Sequence, residues 1–375
     1  MHVGQKVFRR REPVDPFVDV APDGRVRIYG TGPRGRRDGG HPYIEYPSFE
    51  AMIAGGAYTN RMIVLSPKLA TVGAQPWDLM VHRWQNGQEV LYGGVMTPGA
   101  PRTKNAKWPD DNWSRRIYPF TQDHVGAWAM HPLPLFNALP KGAQPDIIGH
   151  TYGHHFKTFE RDGELETWLF HEEVVDRVAT NDGPRLKTEL FARKMLDPFT
   201  ASPDKVKLLG VGSPARYGLR ANGEFLLEGP RPFDARLESE TYHFISFSAS
   251  DFANDRYDMH FAYRRGDAIG EYTPLTRTED GVDELVPFGE KLKERYGLSW
   301  LGRAHVVQHK GAYYSVFHGV RKAVRPEVDY SGKQSTDVET MHRVLFVVPM
   351  RLTRLANGTP HIEMIDDPAS AQGPQ

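Results

Sequence analysis

Two carboxylates are set apart by their neighbours in the chain. Asp15 stands directly before Pro16 in Val14-Asp15-Pro16-Phe17-Val18, and a proline biases the preceding residue toward extended geometry. Glu228 opens Glu228-Gly229-Pro230, where the proline restricts Gly229 instead. A pair of acids, one accepting a proton and one donating it, is the minimum for acid–base hydrolysis. The segment Gly149-His150-Thr151-Tyr152-Gly153-His154-His155-Phe156 suggests metal chemistry as well, because neutral imidazole is a common ligand. In an extended strand His150 and His154 share one face and His155 takes the other. At most two ligands then come from this segment, and His305 would have to supply a third. There is no cysteine, which removes thiolate nucleophiles, disulfides and cysteine-held zinc together. A phosphate-binding loop, a dinucleotide fingerprint and a Gly-x-Ser-x-Gly elbow are also missing.

The elements that must carry these side chains read as strands. Glycine (36) and proline (29) are abundant beside 16 Tyr, 19 Phe and 7 Trp, the composition of short strands joined by turns. β-Branched and aromatic residues cluster or alternate over 26–30, 62–66, 89–93, 167–172, 242–250, 259–263, 312–320 and 343–350. Turn signals precede several of them: Asp23-Gly24, Asn86-Gly87, Asp162-Gly163 and Lys310-Gly311, which suit two-residue hairpins with both central residues at positive φ. The best helix lies over 285–296, with Pro287 in its first turn. An extended segment, a polar-Gly turn and an aromatic strand recur around 15–30, 152–171, 226–250 and 303–319. The spacing fits a period of about 72 residues, as for blades of four short strands. The fold expected is all-β, a five-bladed β-propeller over residues 1–367, with a disordered tail at 368–375. A two-sheet sandwich with long insertions is the alternative.

Taken together, three segments resemble glycoside hydrolase family 43 and its arabinanase, xylosidase and levansucrase-type relatives. The first runs from Asp15-Pro16 through Asp23-Gly24 into Arg27-Ile28-Tyr29-Gly30-Thr31, and the second from Glu228-Gly229-Pro230 into Tyr242–Ser248. The third is Gly302-Arg303-Ala304-His305-Val306-Val307, succeeded by Tyr313–His318. The resemblance spans roughly residues 12–355, carried by about 60 positions. It implies Asp15 as the base that activates water and Glu228 as the acid that protonates the leaving oxygen, both on innermost strands. It places His305 on the channel axis, where the family often holds a structural calcium or sodium, and requires no cofactor. The paired carboxylates suit glycoside hydrolysis on physical grounds too.

The family sets another aspartate at the start of the third blade, where it tunes the acid. Asp15 lies nine residues before Gly24, and the same count back from Gly163 reaches His154. His154 is therefore the third catalytic candidate, with Asp146 an alternative. The second-blade signature is nearest matched by Trp108-Pro109-Asp110, which offers Trp108 and Asp110 as sugar contacts. His155, His305 and Arg321 are the remaining substrate-binding candidates, while Trp128 reads as core. The substrate implied is an oligosaccharide or glycoside with an arabinofuranosyl, xylosyl or galactosyl bond, cleaved with inversion. A non-catalytic carbohydrate-binding propeller and a metal-dependent hydrolase or lyase built on the channel histidines are the competing readings. Lysine plus arginine and aspartate plus glutamate both number 47, so neither a nucleic-acid nor a polybasic membrane partner is expected. The first residues have no apolar core of a signal peptide, and the chain as written is expected in the cytoplasm; a removed leader would make it secreted or periplasmic.

Overall fold

The computed structural model describes residues 14–31, 40–66, 75–98, 113–136, 149–161, 163–178, 185–210, 226–250, 257–279, 282–321 and 343–365. The tail expected at 368–375 lies outside the described residues. All eight segments expected as strands fall on strands. They build five antiparallel sheets, each from consecutive stretches of chain. Blade 1 holds β1 (Val14–Val20), β2 (Val26–Thr31), β3 (Gly40–Tyr46) and β4 (Thr59–Val64). Blade 2 holds β5 (Gln75–Arg83), β6 (Glu89–Pro98), β7 (Trp113–Gln122) and β8 (Trp128–Met130). Blade 3 holds β9 (Thr151–Arg161), β10 (Glu164–Val178), β11 (Arg185–Asp197), β12 (Thr200–Ala201) and β13 (Val206–Leu209). Blade 4 holds β14 (Leu227–Leu237), β15 (Glu240–Ala249), β16 (Asp258–Arg265) and β17 (Thr273–Pro274). After a hairpin of β18 (Thr276–Glu279) and β19 (Val282–Leu285), blade 5 holds β20 (Leu298–His309), β21 (Ala312–Arg321), β22 (Arg343–Arg354) and β23 (Pro360–Met364). The fold is a five-bladed β-propeller.

The apolar positions of these strands close the ring. Each of five hydrophobic clusters sits between two neighbouring blades. Ile28 and Ile44 meet Phe317 and Phe346 between blades 1 and 5. Tyr29 and Ile63 meet Leu79 and Phe120, and Met80 and Tyr92 meet Phe156 and Leu169. Phe170 and Leu190 meet Ile245 and Phe247, and Phe244 and Phe261 meet Val306 and Met350. Trp128 is in the core, as expected. The innermost strands β1, β5, β9, β14 and β20 contact one another in turn, and β20 returns to β1. Any side chain facing inward from their shared end therefore points at one axis.

Two local expectations change. The helix is only Glu290–Tyr296, closed by Gly297 at φ 59. Leu285 belongs to β19, and the backbone N–H groups of Val286 and Phe288 bond to Leu275 and Met259. Backbone pairing with blade 4 thus holds that stretch extended up to Pro287. Of the turns, Lys310-Gly311 has both residues at positive φ, whereas at Asp23-Gly24 and Asn86-Gly87 only the glycine is left-handed.

Candidate active site

A bulge recurs near the start of every innermost strand. Five residues there have left-handed backbones: Asp15 (φ 57), Asp78 (φ 50), Gly153 (φ 60), Gly229 (φ 59) and Arg303 (φ 56). Each falls where the ladder slips register against the second strand of its blade. A bulge re-aims the side chain it carries, and for a non-glycine residue this backbone costs of order 1–3 kcal/mol. The three non-glycine residues that bear that cost, Asp15, Asp78 and Arg303, meet at the axis.

Arg303 is the hub. Its Nε lies 3.9 Å from Asp15 Oδ1, its Nη1 3.7 Å from Asp78 Oδ2 and 3.5 Å from Glu172 Oε2, and its Nη2 3.7 Å from Glu228 Oε2. All five side chains are largely or fully buried. The guanidinium packs over Gly153 and Gly229, where any Cβ would run into it. Burial pulls the Arg303 pKa down, but the four carboxylates around it push the group well above its ordinary value.

Each carboxylate has its own support. Glu228 Oε2 accepts from Tyr257 Oη at 3.2 Å, and the Tyr257 ring fits only because residue 302 is glycine. The Asp15 N–H donates to His318 Nδ1 at 3.1 Å, and Asp15 Oδ1 lies 3.3 Å from the same nitrogen. Asp78 Oδ1 accepts from Thr31 Oγ1 at 3.3 Å, and its N–H donates to that oxygen at 3.0 Å. Burial raises the Asp78 pKa. Glu172 comes from the second strand of its blade, turned inward by the slip between Phe170 and Glu172. It is fully buried and its Oε2 accepts the Gly229 N–H. Burial pushes its carboxyl well above the usual range; Arg303 offsets part of this, and Glu228 adds to it.

The next inward residues of these strands form a layer under the acids. The Phe17 ring lies 5.1 Å from His305 and 5.3 Å from His155, and the two imidazoles are 5.0 Å apart. Arg231, two residues past Gly229, lies near enough to both imidazoles to act on their charge. At the rim, the Arg115 guanidinium sits 5.2 Å over Trp77 and 5.3 Å over Tyr152, the residues just before Asp78 and Gly153.

Sequence reasoning brings Asp15, Glu228 and His305 to one axis, but other placements are corrected. His154 does not join the carboxylates. It is one residue past the bulge position Gly153, packs edge-on to Phe156, and is held neutral by burial, its pKa lowered to about 3. The count of nine fails because the bulge-to-turn spacing in blade 3 is one residue longer, and one residue flips a strand side chain to the other face. Glu172 stands in the space that a side chain at 153 would fill. His155 lies in the layer below, against Phe17 and His305. His305 Nδ1 accepts the Val18 N–H at 2.8 Å. A neutral ring then carries its proton on Nε2, so neither nitrogen has a lone pair for a metal. Among the described residues no group of three or more His, Asp or Glu is placed to hold one. Arg321 ends β21, but its side chain, like Trp108, Asp110 and Asp146, lies outside the described residues. Asp78 and Arg303 were legible: Asp78 stands nine residues before Gly87, as Asp15 does before Gly24, and Arg303 lies within the third segment of the resemblance.

The buried histidines make stability depend on pH. Burial lowers His41, His82 and His260 to about 4 and His154 to about 3, and takes His155, His171 and His305 well below 6.5. A group with a depressed folded pKa stabilises the fold above its unfolded pKa and loses that contribution as pH falls; at pH 5 a histidine lowered to about 4 costs about 2 kcal/mol. Glu172 and Asp78, with raised pKa values, act in the opposite sense, their contribution lost as pH rises. The histidines outnumber them. Tm followed by circular dichroism should therefore fall steeply between pH 6.5 and 4; a flat or rising Tm would show these rings to be solvated.

No family model and no curated protein matches the sequence. Solved structures do. A thermostable family-43 glycoside hydrolase aligns at TM-score 0.56 and 13% identity, over 96% of this chain and 94% of its own. An endo-1,4-beta-xylanase from Bacteroides thetaiotaomicron aligns at TM-score 0.57 and 12% identity, over 97% of both chains. An alpha-L-arabinanase from Cellvibrio cellulosa, complexed with arabinohexaose, aligns at 0.52 and 12%, over 95% and 96%. The fold is theirs. At these identities the likeness extends to the whole propeller and its blade order, and the side chains at the axis must speak for the chemistry.

Proposed function

We propose that this protein is a glycosidase that hydrolyses a furanosidic or pentopyranosidic bond, arabinofuranosyl, xylosyl or galactosyl, in an oligosaccharide or glycoside. The observation that carries the reading is that Asp15 and Glu228, from blades 1 and 4, reach the same guanidinium at the axis. Their surroundings assign the roles. Asp15 has the Arg303 guanidinium as its neighbour, which suits an ionised base that activates water. Glu228 shares its site with Glu172, and two neighbouring carboxyls hold a proton more readily than both ionise. That suits the acid. Glu172 takes the place of the tuning aspartate that the sequence resemblance implies. Such a base needs room for a water, so a separation of ~6.5–9.5 Å between the two carboxyls, and inversion, accompany this assignment. Trp77, Tyr152 and Arg115 supply a stacking wall at the rim.

A second reading has an observation of its own. Cleavage passes through an oxocarbenium-like state, and a fixed cation beside it is unfavourable; Arg303 is such a cation. A carbohydrate-binding propeller would tolerate it. The two readings separate on a panel of aryl α-L-arabinofuranosides, β-D-xylosides and galactosides. Turnover supports the glycosidase. Calorimetric binding of arabino- or xylo-oligosaccharides with no turnover on the panel would replace it with the binding module.

A further inference from the structure

The layer under the carboxylates is where the sequence resemblance implies a calcium or sodium ion beside His305. The residues there do not fit one. Hard cations need oxygen ligands with free lone pairs, and His305 offers none on either nitrogen. Three backbone carbonyls beside this layer are already engaged. Arg231, on β14 and 4% exposed, donates from Nη1 to Pro16 O and, at 2.8 Å, to Arg303 O. Its Nη2 donates to Asp15 O at 2.9 Å. One guanidinium thus ties blade 4 to blades 5 and 1, and its positive charge would repel a second cation.

We infer that Arg231 is the built-in cation of this channel, a positioning residue that locks the left-handed backbones of Asp15 and Arg303, and that no metal ion binds there. Asp15 has its N–H on His318 and its carbonyl on Arg231. Arg303 has its N–H on Ser248 Oγ at 2.8 Å and its carbonyl on Arg231. With both sides of each strained residue fixed, the directions of the two side chains are fixed as well. Arg231 retains its charge at neutral pH, burial lowering its pKa only to about 10.

The test is read in thermal unfolding of the intact chain, so it stands apart from the glycosidase reading. Wild type dialysed against EDTA, then given millimolar calcium chloride or sodium chloride, should keep its Tm within about 1 °C, whereas loss of a resident ion would shift it by roughly 5 °C. A Tm that falls on chelation and returns with calcium overturns the inference. In Arg231→Ala the three carbonyls lose their partner. Its Tm should fall, and millimolar guanidinium or calcium should raise it while leaving wild type unmoved. An Arg231→Ala protein that folds and responds to neither overturns the cation's role. Arg231→Lys, which keeps the charge, covers the case in which the alanine variant does not fold. It should fold and ignore chelator, and sensitivity to EDTA would count against the proposal.

Discussion

Asp15→Asn and Glu228→Gln should each lower kcat on a cleaved methyl glycoside, whose leaving group needs protonation, by at least ~10²-fold and by as much as ~10⁴-fold, the range that general acid–base assistance supplies. Neither should unfold the protein. Both replacements preserve shape; Asp15→Asn removes one negative charge from a cluster in which four carboxyls surround one guanidinium, and Glu228→Gln puts a neutral amide where a carboxyl shares a proton with Glu172. Relief of that repulsion offsets what is lost in pairing with Arg303. The measurement is kcat beside Tm on the same preparations. A loss of activity matched by a loss of folded protein would make these residues structural. Full activity of either variant on a methyl glycoside would remove that residue from the catalytic role assigned to it.

Arg303→Met should be the most destabilising single change at the axis. It leaves Asp15, Asp78, Glu172 and Glu228 buried without their common partner, and removing one partner of a buried ion pair costs about 3–5 kcal/mol. The carboxyls set the sign of the pH dependence. Without the guanidinium the folded pKa values of these carboxyls rise, those of Asp78 and Glu172 further above the unfolded ones, so stability is retained at low pH and lost as pH rises through the folded values. The deficit relative to wild type should therefore be smallest near pH 5 and largest above pH 7, when urea unfolding is compared at both. The histidine effect is common to both proteins and cancels. A deficit that does not change with pH would mean that Arg303 acts through packing alone.

The propeller is legible in the sequence because its cues are local. Aromatic alternation, turn glycines and an Asp-Pro or Glu-Gly-Pro at a strand start survive in one dimension, and they locate β1, β14 and β20 with their inward residues. The rest of the site depends on register. Asp78 obeys the same nine-residue spacing to a turn glycine as Asp15, but Trp108-Pro109-Asp110 bears the stronger likeness to the second-blade signature and draws attention away from it. His154 stands out in place of its neighbour because a strand position is only as good as the turn spacing behind it. Glu172 gives no signal, since it reaches the axis from a second strand through a bulge. Arg303 and Arg231 are visible as letters inside or beside the recognised motifs, but an arginine declares its role only when its partners, drawn from other blades, stand around it.

The most direct test compares Glu228→Gln and Asp15→Asn on two substrates, a methyl glycoside and a dinitrophenyl glycoside of the same cleaved sugar. A departing dinitrophenolate needs no protonation, so it bypasses the acid but still requires an activated water. Glu228→Gln should approach wild-type kcat on the dinitrophenyl glycoside and stay at least ~10²-fold impaired on the methyl glycoside, while Asp15→Asn stays impaired on both. Equal recovery of the two variants, or recovery of Asp15→Asn alone, would contradict the roles assigned to Asp15 and Glu228.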